Sequence, residues 1–297
     1  MSQPNGPFLV TGASGQLGRL VVHQLLADRV GPIIATTRAP DKLAELAARG
    51  VEVRKADFTR PETLKSAFAG AARILIISTD DLAPGARLAT HRTAIADAVE
   101  AGVSHIVYTS LTNPSAESPI SFAPDHRETE AALAACGIPH TILRNNLYTD
   151  LFLMSAPQAV ASGKLVSAAG DGKVGYVTRR DCARAAAAAL AEATGTQTLD
   201  VTGPALVGQA DVAEHLSNLA GTTIEVVPVS GEALCAGMVE HGVPEPVAAL
   251  MVSIDAAIAK GTLAVTSTAV KDLTGSEATS VEQFLRANAE MISGASS

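Results

Sequence analysis

Short apolar runs alternate with Ala- and Leu-rich stretches at helical spacing through the first half of the chain. Phe8-Leu9-Val10 stops at Thr11-Gly12, and a helix-like stretch follows over about 16–29. Ile33-Ile34-Ala35-Thr36-Thr37 reads as a second strand, and Pro40-Asp41 opens a helix that Gly50 closes. Val51-Glu52-Val53 is the third strand. Thr59 is expected to cap the next helix, with Pro61 in its first turn and Glu62 three residues after the cap. Ile74-Leu75-Ile76-Ile77 is apolar at every position, the pattern of a parallel strand covered on both faces. Helical stretches over about 86–101 and 123–136 end at Gly102 and Gly137, each followed by a strand, His105-Ile106-Val107-Tyr108 and Thr141-Ile142-Leu143. Strand, helix and strand repeat with short links, so the pattern predicts an α/β fold with a doubly wound parallel sheet. The units share no sequence motif, which excludes a solenoid.

The rhythm changes after Asn146. Gly170-Asp171-Gly172 reads as a tight turn, Asp181 is expected to cap an Ala-rich helix, and Leu199-Asp200-Val201 is a further strand for the sheet. From Pro204 onward the pattern predicts short helices and one strand, Ile224-Glu225-Val226-Val227. Residues 1–150 are therefore expected to form the sheet domain, joined by a strand and helix from about 178–203. Residues 151–177 and 204–297 form a smaller mixed, largely helical C-terminal lobe. Ligands of such folds lie beyond the carboxyl ends of the strands, so this lobe is expected to wall a substrate pocket.

Composition narrows the function classes. Of 297 residues 47% are hydrophobic and 18% charged, enough apolar surface for a large core and too little charge for disorder. Twenty-two Lys and Arg face 30 Asp and Glu, a net charge of −8, which disfavours nucleic acid as a partner. Cys136, Cys182 and Cys235 lie far apart without metal-ligand or disulfide spacing and read as small buried hydrophobes in a reducing cytosol; no metal site is expected. The polar segment from Met1 to Gly6 does not read as a secretory signal, and no apolar run is long enough to cross a bilayer. The expectation is a cytoplasmic protein without a membrane partner; a homo-oligomer is compatible with the sequence.

The strongest chemical signal is Thr11-Gly12-Ala13-Ser14-Gly15-Gln16-Leu17-Gly18, which follows a strand and opens a helix. Gly12 permits a tight turn, Gly15 lets a pyrophosphate approach the backbone, and Gly18 allows close helix–sheet packing. The free N–H groups of the helix start then face the phosphates. An NAD-binding chain places Asp or Glu at the end of the second strand to accept from the ribose 2′-hydroxyl. Here Thr36-Thr37-Arg38 stands there, with Lys42 one turn further, so a 2′-phosphate is favoured and NADPH is the expected cofactor. Asp57 and Phe58 are candidates for holding the adenine, although a carboxylate near a helix start serves structure equally well. Ser78 and Thr79, after the fourth strand, lie where the middle of a dinucleotide and its nicotinamide ribose pass.

Taken with Thr37-Arg38, Ala101-Gly102-Val103, Tyr108-Thr109-Ser110 and Leu143-Arg144-Asn145, the loop resembles the NmrA-like atypical short-chain dehydrogenase/reductases. Within them it is most similar to the bacterial NADPH:quinone oxidoreductase type 2 group. Ala168 to Lys173 and Thr178-Arg179-Arg180-Asp181 extend the likeness, which covers roughly residues 7–200 and loosens beyond. The resemblance implies a Rossmann-like domain with a small C-terminal lobe, NADPH, and reduction of quinones or related carbonyls. By position it carries over Gly12 to Gly18, Arg38, Ser78, Thr79 and Asn145 as cofactor residues.

Most short-chain dehydrogenases use a Ser at the end of the fifth strand and a Tyr-x-x-x-Lys on the next helix. Ser110 is present, but the helix carries Asp125-His126-Arg127-Glu128-Thr129-Glu130, and none of Tyr108, Tyr148 and Tyr176 has Lys four residues later. A ketone reduced to an alkoxide needs a positioned acid. A quinone that accepts hydride becomes an aromatised phenolate, a far weaker base, so the missing pair agrees with a quinone substrate. His126, kept protonated by Glu130 at i+4, is a candidate acid against the alternative of a solvated helix face. Tyr148 is a candidate for stacking on or hydrogen-bonding a flat quinone. His91, on the helix after the fourth strand, reads as a packing residue. Two other functions share these features: a stereoselective ketone reductase, and an NmrA-like regulator that senses NADP(H) without catalysis.

Overall fold

The computed structural model describes residues 6–83 and 85–293, so most of the polar N-terminal segment lies outside the described residues. The chain runs β1 (Phe8–Val10), α1 (Gln16–Asp28), β2 (Ile33–Thr37), α2 (Ala44–Ala48), β3 (Glu52–Lys55), α3 (Leu64–Phe68), β4 (Arg73–Ile76), α4 (Ala86–Glu100), β5 (His105–Leu111), α5 (Ala123–Ala135) and β6 (His140–Asn145). It continues through α6 (Phe152–Ser162), β7 (Lys164–Ser167), β8 (Lys173–Val174), α7 (Arg179–Glu192), β9 (Gln197–Val201), β10 (Val207–Gly208), α8 (Gln209–Ala220) and β11 (Glu225–Pro228). Among the described residues it ends in the helices α9 (Gly231–Glu240), α10 (Glu245–Ala259), α11 (Ala269–Thr274), α12 (Val281–Ala287) and α13 (Ala289–Ser293).

Seven strands form one parallel sheet in the order β3-β2-β1-β4-β5-β6-β9. The chain reverses its winding between β1 and β4, which opens a crevice at the carboxyl ends of those strands. Side chains alternate across the sheet. Val10, Ala35, Leu75, Val107 and Leu143 pack under α1 and the alanine-rich α7. Leu9, Ile34, Ile74, Ile106, Tyr108 and Ile142 pack under α3, α4 and α5. The expected doubly wound sheet is present, and the strand expected around Leu199 lies on its edge beside β6.

A separate apolar cluster joins α6, α8, α10 and α12, with Phe152, Leu165, Val212, Leu216, Ile258 and Leu285 buried in it. The single strand expected after Pro204 pairs in parallel with β7, and β10 pairs with β8, two short ladders too brief to show as alternation. Two expected caps differ. Thr178, not Asp181, caps α7 by accepting from the Asp181 N–H at 3.0 Å, which leaves the buried Asp181 carboxylate for Arg184 and the Thr279 N–H. Thr59 caps nothing, because its hydroxyl donates to Asp57 Oδ1 at 2.7 Å. Among the described residues no helix is long and apolar enough to cross a membrane.

Candidate active site

The glycine loop turns sharply at the end of β1. Gly12 has φ +58°, a left-handed backbone that glycine adopts without strain, and Ala13 N–H then donates to Thr36 O at 3.0 Å. Ser14 Oγ meets Thr37 Oγ1 at 2.8 Å, which ties the loop to the end of β2. Gly18 is indispensable to the packing, since a Cβ there would lie 2.4 Å from Gly12 O and 2.8 Å from Ala13 Cα. Gly15 is the N-cap of α1 and is exposed, with no side chain satisfying the helix start and no acidic residue in the first turn. Ala13 and Leu17 bury their side chains in the core, so neither obstructs the start of the helix. The result is an open, uncapped helix terminus at the switch point, a cradle for an anion.

On the β2 side Arg38 and Lys42 are exposed, and no carboxylate stands at the strand end. Arg19, in the first turn of α1, reaches the Lys42 carbonyl at 2.7 Å and adds a third cation to this rim. Asp57 is held by a local turn: its Oδ1 accepts from the Thr59 N–H at 3.0 Å and from the Thr59 hydroxyl, and these bonds hold its pKa below the usual carboxylate range. Phe58 is half-buried against the α3 side of the sheet. Asp57 and Phe58 both remain partly exposed, and the Arg38 charge also acts to lower the Asp57 pKa.

On the β4 side Ser78 and Thr79 are half-buried at the mouth of the crevice. Ser78 N–H donates to Thr109 Oγ1 at 3.0 Å, and Thr79 N–H to His91 Nε2 at 3.0 Å. At the end of β6 Asn145 donates through Nδ2 to the Tyr148 hydroxyl at 3.4 Å, while its buried Oδ1 has no partner among the described residues. An orphaned buried acceptor costs about 1–3 kcal/mol, which points to a donor that arrives with a ligand.

The expected acid–base residues are arranged differently from the expectation. His126 does not pair with Glu130. It is 3% exposed, its Nδ1 lies 2.7 Å from the Tyr108 hydroxyl, and burial, with His91 and Arg87 nearby, pulls its pKa down to about 3. A neutral buried imidazole is the opposite of the protonated acid expected from i+4 spacing. Glu130 instead accepts from Ser110 Oγ at 2.6 Å and from the Arg144 guanidinium. Ser110 is therefore a donor to a carboxylate. Tyr148 stacks under Arg179, whose guanidinium carbon sits 4.5 Å from the ring centre, and burial raises its phenol pKa further above neutrality.

Residues 12–193 match the family described as NAD(P)H-binding. The chain belongs to the NAD(P)H-binding family. It is 35% identical to quinone oxidoreductase 2 of Escherichia coli, over 92% of this chain and 96% of that protein. The solved NADPH complex of that enzyme superimposes with a TM-score of 0.89, covering 94% of this chain and 99% of that one at 34% identity. Citrobacter triphenylmethane reductase, solved with NADP(H), gives 0.89 at 38% identity, covering 95% and 99%. The NAD(P)H azoreductase of Xenophilus azovorans is 29% identical over 95% of this chain and 98% of that protein.

The dinucleotide fits this NAD(P)H-binding chain on the structure's own terms: the uncapped α1 terminus, the bare Gly15 and the orphaned Asn145 Oδ1. The sequence assigns no role to Arg19 or Thr109, and His91, expected as a packing residue, is fully buried and also accepts from the Thr79 N–H. Arg19 directly follows the last glycine, a cation in the first turn of α1, and that position was its signal. Nothing local marks Thr109 or His91, because their partners lie 31 and 12 residues away.

Proposed function

We propose that this protein is an NADPH-dependent reductase that passes hydride to quinones and related delocalised acceptors. The observation that carries the reading is the commitment of the acid–base candidates at this site: Ser110 and Arg144 are bound to Glu130, and His126 is buried and neutral. The α1 terminus, with Gly12, Gly15 and Gly18, would hold the pyrophosphate, and Arg38, Lys42 and Arg19 the 2′-phosphate. Ser78, Thr79 and Asn145 would line the nicotinamide half. The bound cofactor supplies a hydride. These residues bind and align, and none is poised to deliver a proton. That suffices for an acceptor whose reduced form is a stabilised anion, because alignment then supplies most of the rate. Relatives named for quinone, azo-dye and triphenylmethane-dye reduction share acceptors of this class, electron-poor and conjugated.

NADPH oxidation followed by absorbance, with a naphthoquinone and with acetophenone in parallel, tests the reading. Quinone turnover with at least about a hundredfold lower ketone turnover supports it, that being the usual worth of a general acid. Comparable turnover of both would favour a ketone reductase, and NADPH binding without turnover of either would favour a sensor.

A further inference from the structure

Three successive N–H groups beyond β4 are each taken by a side chain from a different element. Ile77 N–H donates to Thr11 Oγ1 at 2.9 Å, Ser78 N–H to Thr109 Oγ1 at 3.0 Å, and Thr79 N–H to His91 Nε2 at 3.0 Å. The ladder between β4 and β5 ends at Ile76 and Tyr108, although β5 runs on to Leu111. Side chains thus replace ladder bonds, and the chain leaves β5 without orphaning its donors. Thr11 follows β1 and Thr109 lies on β5. His91 comes from a helix, α4, and is completely buried.

The ring of His91 is fixed from its far side. Its Nδ1 lies 3.1 Å from Thr129 Oγ1 and 3.3 Å from the Tyr108 oxygen. Thr129 gives its own proton to Asp125 O at 2.6 Å, so its oxygen accepts from Nδ1–H, which leaves Nε2 free to accept from Thr79. The Tyr108 oxygen also lies 2.7 Å from His126 Nδ1, where its hydroxyl can donate while its oxygen faces His91 Nδ1. A protonated His91 would present an N–H to the Thr79 N–H and break the contact. Burial and the Arg87 guanidinium, which with Tyr108 and His126 faces the ring, keep its pKa near 4 and the acceptor state intact at neutral pH.

We propose that His91 is a positioning residue for the nicotinamide half of the cofactor: its neutral Nε2, held by Thr129 and Tyr108, fixes the Thr79 backbone that lines that half of the crevice. The inference rests on the NADPH reading above. His91 touches neither cofactor nor substrate and acts only through Thr79. The adenine half lies across the switch point, against Arg38 and β2, and is outside its reach.

The test compares two ligands on the full-length protein: NADPH, and 2′,5′-ADP, which carries only the adenine half. His91→Leu should weaken NADPH about tenfold, the scale of one lost hydrogen bond, and leave 2′,5′-ADP within about twofold. His91→Gln, whose carbonyl can accept from Thr79, should recover most of the loss. Equal weakening of both ligands, unchanged NADPH affinity in His91→Leu, or no recovery in His91→Gln would overturn the proposal. Should His91→Leu not fold, nitrogen-15 spectroscopy of the parent decides: an Nδ1–H tautomer supports the proposal and an Nε2–H tautomer overturns it. A parent that fails to bind NADPH overturns the function reading as well, whereas a parent that oxidises NADPH with an unaffected His91→Leu overturns only the role of His91.

Discussion

Arg144 reaches from β6 to α5 and holds Glu130 by two hydrogen bonds, Nε to Oε1 at 3.0 Å and Nη2 to Oε2 at 2.6 Å. Ser110 on β5 adds a third bond to the same carboxylate, so one side chain of α5 ties two strands where the expected acid–base pair of this fold would act. The Glu130 side chain is 12% exposed, and losing its cation would leave a largely buried charge unpaired. Arg144→Ala and Glu130→Ala should therefore be non-additive. A double-mutant cycle by urea unfolding should give a coupling of about 1–3 kcal/mol, the range for charge-assisted bonds. A coupling indistinguishable from zero would show that the contact is only a surface pair.

The proposed basis of cofactor choice is Arg38, exposed at the end of β2 with no strand-end acid beside it. Arg38→Ala should weaken NADPH by about 1.5–3 kcal/mol and NADH little, because only the former carries the charge that the guanidinium meets. Equal changes in the two KM values would contradict the assignment of Arg38 to the 2′-phosphate.

The bare face of Gly15 is the proposed approach to the pyrophosphate. Its φ of −77° suits any residue, and the nearest atom to an added Cβ is Gly12 O at 3.2 Å, so a substituted loop can fold with a small adjustment. Gly15→Val should keep the native circular dichroism and lose NADPH binding, because its side chain fills the space of the phosphates. Calorimetry showing parental NADPH affinity in that variant would make the loop purely structural.

Acid should unfold this protein early. His91, His105 and His126 have pKa values lowered by burial to about 4, 4 and 3. The unfolded chain binds these protons near pH 6.5 and the folded one does not, so stability is fully present above that pH. It falls as pH drops from about 6.5 towards 4, by about 1.4 kcal/mol per pH unit for each imidazole. Urea midpoints measured at pH 7 and pH 5 should therefore differ, with the lower value at pH 5. A flat profile would mean that the three rings are less buried than the structure has them.

The sheet and the loop were legible because they rest on local signals: β-branched runs such as Ile33 to Thr37, and glycines at fixed spacing before a helix. The arrangement around α5 was not. The i+4 spacing of His126 and Glu130 predicts a pair, yet α5 presents His126 to Tyr108 beneath α4 and Glu130 to the ends of β5 and β6. Which partner wins depends on Arg144, 14 residues further on, whose charge makes the better bond. Asp181 failed as a cap for a related reason, since Thr178 stands three residues earlier and Thr279, nearly a hundred residues away, takes up the carboxylate.

His126 separates the two chemistries in a simpler way. If it merely fills the space beside Tyr108, His126→Gln should lose stability and keep quinone turnover within about tenfold of the parent, below the worth of a general acid. A loss above about a hundredfold at unchanged NADPH affinity would make His126 an essential acid.

Hydride transfer to a quinone without a side-chain acid has a direct signature in the pH profile of quinone turnover with 4-deuterated NADPH. A primary isotope effect on kcat that persists with an essentially flat rate from roughly pH 6 to 9 is the expected result, since no group at the site should titrate there. A rate that falls tenfold per pH unit across that range, or no enzyme-dependent NADPH oxidation at all, would contradict it.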